Sequence, residues 1–194
     1  LEDRGLKVHD VFVTMGASNH AQNIREINDY YATHPTAVEK LLQRESFSHK
    51  ILEPCCGGGH ISKVLLEHGY DVVSTDLIDR GFGVGGIDFL QHTTVDCDIV
   101  TNPPYKIGLE IVQHALEIVT PNHKVAMLLK IQFLESKSRR KFFDIYPPKY
   151  VYVFSERTNC AKNGEFEKSP SSAICYAWYI WVKGERSEPI IRWL

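Results

Sequence analysis

The sequence predicts a doubly wound α/β fold built on one mostly parallel sheet. Two observations carry that prediction. From residue 36 onward, short β-branched runs alternate with amphipathic helical stretches at the spacing of strand–helix–strand units. The three most informative motifs also fall directly behind predicted strands, where sheets of this kind bind ligands. At 194 residues and 22.2 kDa the chain has the length of one domain. No repeat or low-complexity linker divides it, so residues 29–194 read as a single domain. Residues 1–28 read as an appendage carrying little more than the apolar patch Val11-Phe12-Val13.

Each element has a local reason. Thr36 is placed to cap a helix over 37–44, with Val38, Leu41 and Leu42 on one face and Glu39 three residues past the cap. A short strand over 50–53 runs into the glycine loop Cys56-Gly57-Gly58-Gly59. The helix after it, 60–68, turns Ile61, Val64 and Leu65 inward and stops at Gly69. A second strand, 70–75, ends at Asp76, and a stretch with Gly81, Gly83, Gly85 and Gly86 leads to Asp88-Phe89-Leu90. The strand 98–101 delivers Asn102-Pro103-Pro104-Tyr105, followed by a helix from about 106 to 119 expected to bury Ile107, Ile111, Ala115 and Ile118. A strand over 124–129, a basic helix over 136–145 and a strand over 150–154 come next, with Phe142, Phe143 and Tyr146 expected in the core. The aromatic run 172–182 is long enough for a central or edge strand paired antiparallel to 150–154.

Composition excludes several classes. With 43% hydrophobic and 24% charged residues this is a soluble globular composition. No apolar run approaches the roughly 20 residues of a membrane span. The opening residues lack the basic lead and apolar stretch of a signal peptide, so a cytoplasmic location is expected. The cysteines Cys55, Cys56, Cys97, Cys160 and Cys175 are odd in number and form no Cys-x-x-Cys, and the histidines show no ligand spacing. Free thiols and no metal are expected. Net charge is only −2, yet residues 1–120 carry −8 and residues 121–194 carry +6. That asymmetry suits an anionic partner on the C-terminal side. Its densest basic run is Lys137, Arg139, Arg140 and Lys141, which fits phosphate contacts or, equally, a solvated helix face.

The glycine loop, with Glu53-Pro54 before it, leaves two readings open. A dinucleotide loop would want a third glycine at position 62, where the sequence has Ser62. A loop approaching an adenosine without a phosphate requirement has no such need. Asp76, 19 positions after Gly57, is placed to bind the hydroxyls of a ribose. Asp88 supplies an acceptor for an adenine amino group, and Phe89 a ring to cover its face. The tetrapeptide is the strongest signal. Two prolines behind a strand end pairing and remove two donors, which leaves the Asn102 side-chain carbonyl and the Pro103 backbone carbonyl as acceptors, with the flat ring of Tyr105 alongside. Two acceptors holding the hydrogens of an exocyclic amine would aim its lone pair at an electrophilic carbon without a strong base. Tyr105 could stack on a base taken out of its helix.

These residues together resemble the class I S-adenosylmethionine-dependent methyltransferases, in particular the amino-methylating group that contains the N6-adenine DNA methyltransferases of small prophage and bacterial type. The resemblance runs from Asp29 to the end. It implies that Tyr31 and Thr33, within Asp29 to Pro35, help hold the methionine end of S-adenosylmethionine. Glu53, Pro54, Cys56, Gly57 and Gly59 would form the cofactor loop, Asp76 with Leu77 the ribose site, Asp88 and Phe89 the adenine clamp, and Asn102, Pro103, Pro104 and Tyr105 the catalytic tetrapeptide, Asn102 also facing the cofactor. It implies seven strands with the last antiparallel, and adenine N6 as target, in DNA in preference to RNA. Sequence-specific relatives carry an added target-recognition region. The loop 155–171 is the one sizeable insertion here, so a separate specificity subunit is the other source of recognition. A protein glutamine N5-methyltransferase shares the tetrapeptide. A catalytically silent cofactor- or nucleic-acid-binding module is the non-enzymatic alternative, and a nicotinamide dehydrogenase a distant one.

Overall fold

The computed structural model describes residues 30–156, 158, 160–162, 164–168 and 174–194, and the appendage 1–28 lies outside them. Its elements are β1 (Tyr31–Thr33), α1 (Pro35–Leu42), β2 (Lys50–Glu53), α2 (His60–Glu67), β3 (Asp71–Ser74), β4 (Asp98–Thr101), α3 (Gly108–Ile118), β5 (Lys124–Lys130), α4 (Lys137–Ile145), β6 (Tyr150–Val153), β7 (Cys160–Lys162), β8 (Tyr176–Val182) and β9 (Ile190–Trp193). Seven strands form one sheet in the order β3-β2-β4-β5-β8-β6-β9, and β1 with β7 makes a separate two-stranded ladder. β2, β3, β4 and β5 pair in parallel, while β8 is antiparallel to both β5 and β6. β2 is flanked by β3 on one side and β4 on the other. The strand order therefore reverses there, which is where a doubly wound sheet opens a crevice at its carboxyl ends.

The sheet is apolar on both faces because helices cover both. Along β5, Val125, Met127 and Leu129 join the core under α3 and α4, and Ala126 and Leu128 join the one under α1 and α2. β8 alternates in the same way, with Tyr179 and Trp181 on the first face and Trp178 and Ile180 on the second. Both buried indoles donate to main-chain carbonyls, Trp178 to Ala37 at 2.9 Å and Trp181 to Tyr146 at 3.0 Å. At the amino ends of the strands, Asp98 accepts from the main-chain N–H groups of Ser48 and Lys124, tying β4 to its neighbours.

Several expectations are corrected. Thr36 does not cap α1. His34 does, its Nδ1 accepting from the Thr36 N–H at 3.3 Å, with Pro35 in the first turn, where a missing N–H costs nothing. The helix after the tetrapeptide starts at Gly108, behind a 3₁₀ turn over Tyr105–Ile107, because two prolines hold the chain extended through Pro104. That delay rotates the buried face. Val112 and Leu116 go into the core with Ile111 and Ala115, Ile118 is half-buried, and Ile107 is exposed. The expected seven-stranded, mostly parallel sheet with one antiparallel strand is present, β8 running antiparallel between β5 and β6. β9 follows it and pairs parallel to β6 at the edge. The insertion 155–171 is not plain loop either. β7 within it pairs antiparallel with β1 across about 130 residues of chain, Ala161 opposite Ala32.

Candidate active site

A cavity of about 500 Å³ opens at the carboxyl ends of β2, β3 and β4. Its wall takes in Tyr31 and Thr33 of β1, Glu53 to Cys56, Asp76 and Leu77, Asp88 and Phe89, and Asn102 to Pro104. The tertiary structure thus brings motifs from five separate stretches of chain to one surface. Among the described residues no cluster of three or more His, Cys, Asp or Glu is placed to hold a metal, and no helix is long and apolar enough to cross a membrane.

Asp76 ties the start of the glycine turn to the loop behind β3. One carboxylate oxygen accepts from the Gly57 N–H and the other from the Ile78 N–H, both at 2.8 Å. A carboxylate has about four acceptor positions, so two remain for hydroxyls of a ligand. Gly57 and Gly59 adopt φ of +52° and +78°, which glycine takes without strain. What crowds these glycines is the protein itself. A Cβ on Gly57 would fall 2.3 Å from the Tyr30 ring, and one on Gly59 2.4 Å from the Phe82 ring. Tyr30 also accepts from the Gly58 N–H at 3.0 Å, and Arg80 stacks over its ring at 4.2 Å. Sequence reasoning did not single out Tyr30, Arg80 or Phe82. Their only signal was position, one beside Tyr31 and two inside the glycine-rich stretch.

Glu53 is 1% exposed. Its Oε2 accepts from the Ser62 N–H at 2.8 Å and from the Ser62 hydroxyl, which in turn contacts the Ser74 hydroxyl at 2.6 Å. Burial without a cation pushes its carboxyl up to about 8, with the neighbouring Asp76 adding to the rise and the Ser62 bonds opposing it. Burial also pushes the Cys56 thiol up to about 12, so it stays neutral.

Asn102 leaves β4 aimed into the cavity wall. Its Nδ2 donates to the Tyr31 carbonyl at 2.8 Å and to Thr33 Oγ1 at 3.0 Å. Its Oδ1 is buried and has no partner. A carbonyl pairing fixes which end of the amide is nitrogen, since only N–H can face the Tyr31 oxygen. The free acceptor is therefore a feature of the network, and buried acceptors left unpaired are uncommon and costly.

Tyr105 is placed differently from the expected stacking platform. It does not line the cavity. Its ring lies 6.3 Å from Tyr31 and 5.8 Å from Tyr176, with the Lys130 ammonium 4.9 Å from its centroid. Its hydroxyl contacts Cys160 Sγ at 3.8 Å, and burial raises its phenol well above the ordinary value. The tetrapeptide tyrosine thus packs against Tyr31, whose carbonyl holds Asn102, and contacts Cys160 of β7. Asp88 caps the 3₁₀ turn Phe89–Gln91 by accepting from the Leu90 N–H at 3.0 Å. Phe89 is 3% exposed and meets His114 edge-on at 5.2 Å, so its ring packs into the core while the residue lines the cavity. Leu77, at the rim, is 60% exposed.

The basic helix divides by role. Arg139 is not an open phosphate contact. Its guanidinium donates to the carbonyls of Phe133 (2.7 Å), Gln132 (3.0 Å) and Glu135, closing the turn before α4. Arg140 pairs with Asp144 at 2.9 Å while remaining exposed, and Lys137 and Lys141 are exposed. The insertion reaches the other side of the site. Phe166 packs edge-on between His34 at 4.9 Å and His60 at 5.5 Å, above the start of α2.

No family model and no curated protein matches this sequence. Solved structures do match. A Listeria monocytogenes protein assigned as a class I S-adenosylmethionine-dependent methyltransferase superposes with a TM-score of 0.60 at 13% identity, over 95% of this chain and 71% of that one. A protein assigned as a modification subunit of a type I restriction enzyme of Vibrio vulnificus gives 0.58 at 11%, over 92% of this chain and 48% of its own. One assigned as an RNA methyltransferase of Pyrococcus horikoshii gives 0.53 at 14%, over 77% and 80%. The chain has the Rossmann-like fold of class I methyltransferases.

Proposed function

We propose that the protein transfers a methyl group from S-adenosylmethionine to an exocyclic amino nitrogen, N6 of adenine in nucleic acid, with DNA preferred to RNA. The observation that carries this reading is the Asn102 amide. Its nitrogen is immobilised by Tyr31 and Thr33, and its oxygen is an unpaired acceptor in the wall that also holds Glu53 to Cys56 and Asp76.

The residues present fit the cofactor. Asp76 retains acceptor capacity for two ribose hydroxyls, Cys55 and Cys56 ahead of the glycine turn line the cavity beside it, and Tyr31 and Thr33 close the wall next to Asn102. Bound there, the cofactor supplies an electrophilic methyl on a sulfonium. Asn102 Oδ1 and the Pro103 carbonyl accept the two N–H bonds of the target amine. They localise its lone pair and stabilise the positive charge that grows on nitrogen as the N–C bond forms and the C–S bond breaks. The surplus proton on nitrogen leaves to water afterwards, so no side chain has to act as a strong base. Tyr105 packs against Tyr31, whose carbonyl holds Asn102. The nucleic-acid target is supported by the exposed Lys137, Arg140 and Lys141 and by the nucleic-acid enzymes among the structural neighbours. The insertion 155–171, or a separate subunit, would read sequence.

The test is transfer of labelled methyl from S-adenosylmethionine to DNA, RNA and a protein extract by the wild type and Asn102→Ala. The expected result is N6-methyladenine from the wild type alone. Label in adenine that survives Asn102→Ala removes the reading, and label that follows protein points to the glutamine amide instead.

A further inference from the structure

Glu53 is the most deeply buried of the three acidic groups of the cavity wall, 1% exposed where Asp76 and Asp88 are half-buried. Both Ser62 donors converge on Oε2, and among the described residues nothing bonds Oε1. The groups that face it from each packed element make an anion costly. Asp76 at the end of β3 brings a second negative charge. Cys55 and Cys56 in the turn, and Tyr30 above it, have acidities weakened by burial and stay neutral. Ser62 offers its N–H and hydroxyl, and Ser74 a hydroxyl behind it, all of them uncharged. Arg80 and Lys106 also line the cavity, the Arg80 guanidinium stacked on Tyr30, and neither is among the charges that shift the Glu53 carboxyl. A carboxylate buried without a counter-charge keeps its proton. A ligand that carries positive charge into the same cavity supplies the missing partner.

We infer that Glu53 is protonated in the free protein and that binding of a cationic donor displaces this proton to solvent. Donor recognition is then a one-for-one exchange of cation for proton. The neutral carboxylic acid becomes a carboxylate facing the bound positive charge, its Ser62 bonds are kept, and buffer takes the proton. This deepens the cofactor reading and rests on it. It makes Glu53 a charge-selecting residue, because a neutral adenosine derivative gives the carboxyl no reason to ionise. A carboxyl that titrates near pH 8 in the free protein is about nine-tenths protonated at pH 7 and about one-tenth at pH 9. Affinity for the cation should therefore rise about tenfold between those values.

The test is calorimetric titration of the whole chain with S-adenosylmethionine in phosphate and in Tris, buffers of different ionisation heat, at pH 7 and pH 9. Adenosine serves as the uncharged control, and Glu53→Gln is run in parallel. The expected outcome is release of close to one proton per donor bound at pH 7 and little at pH 9, with none for adenosine. Glu53→Gln should still bind, with no buffer dependence beyond that of the ligand's own amine and without the wild type's extra tenfold gain at high pH. Donor binding with the same buffer dependence in wild type and Glu53→Gln overturns the proton exchange while leaving the cofactor reading intact. No heat with either protein at either pH removes the cofactor reading, and this inference falls with it.

Discussion

Gly57→Ala should destabilise the protein by about 2.5–4 kcal/mol, and about half of that loss should vanish in a Tyr30→Ala background. A Cβ at position 57 would stand 2.3 Å from Tyr30 Cε2 and 3.1 Å from both Cδ2 and Cζ. Carbon atoms rest about 3.5–4.0 Å apart, so the ring has to retreat by more than about 1 Å. It has little freedom to do so, since Arg80 stacks over it at 4.2 Å and the Gly58 N–H holds its oxygen at 3.0 Å. Losing that hydrogen bond costs about 1 kcal/mol and losing the cation–π contact about 0.5–1 kcal/mol. The φ of +52° adds about 1–2 kcal/mol for any residue with a Cβ. Only this last part persists once the ring is gone. Urea denaturation of the four proteins of the double-mutant cycle measures the coupling, expected at about 1.5–2 kcal/mol. Equal cost of Gly57→Ala in both backgrounds would show that the ring does not rest on the glycine, and the account of the turn would fail.

The remaining predictions concern chemistry, charge and the basic helix. Asn102→Ala should lower methyl transfer by about 10²–10³ while cofactor affinity by calorimetry changes only a few-fold; retained turnover would contradict the acceptor role. The Glu53 carboxyl is raised to about 8 from an ordinary 4.5, so the folded state binds more protons than the unfolded state between those values. The ligand-free protein should therefore lose stability as pH rises from about 5 to 8, at up to about 1.4 kcal/mol per pH unit, and Glu53→Gln should flatten that slope in pH-dependent urea titrations. Arg139→Ala should cost about 1–3 kcal/mol of stability, since three carbonyls lose their donor. Replacing Lys137, Arg140 and Lys141 together by Ala should leave stability nearly unchanged and lower the salt slope of nucleic-acid binding by about 2–3, read by fluorescence anisotropy at several ionic strengths.

What could be read along the chain was what local chemistry dictates. Gly57 and Gly59 behind β2, Asp76 behind β3 and Asn102-Pro103-Pro104 behind β4 announce themselves, because a strand that ends in such residues has few other local uses for them. The start of α3 at Gly108 was misplaced because helix periodicity does not register how long two prolines keep a chain extended. β9 was missed although Ile190, Ile191 and Trp193 are strand formers, since an edge strand of four residues has no periodicity to speak of. β1 and β7 were missed because each is three residues long and exists only by pairing with the other.

The sequence by itself determined the doubly wound sheet, the strand ends that carry the chemistry, and the identity of the groups gathered there, because burial periodicity and turn chemistry act over a few residues. Only the tertiary structure decided what those groups are free to do. The amide nitrogen of Asn102 meets the Tyr31 carbonyl 71 positions earlier, which leaves its oxygen as the unpaired acceptor. Tyr105 is enclosed by Tyr31 and Tyr176, and Arg139 turns back onto its own helix entrance. Glu53 is left without a counter-charge. Donors, acceptors and charges are matched by contacts across the fold, and a residue's remaining capacity is what those contacts leave over.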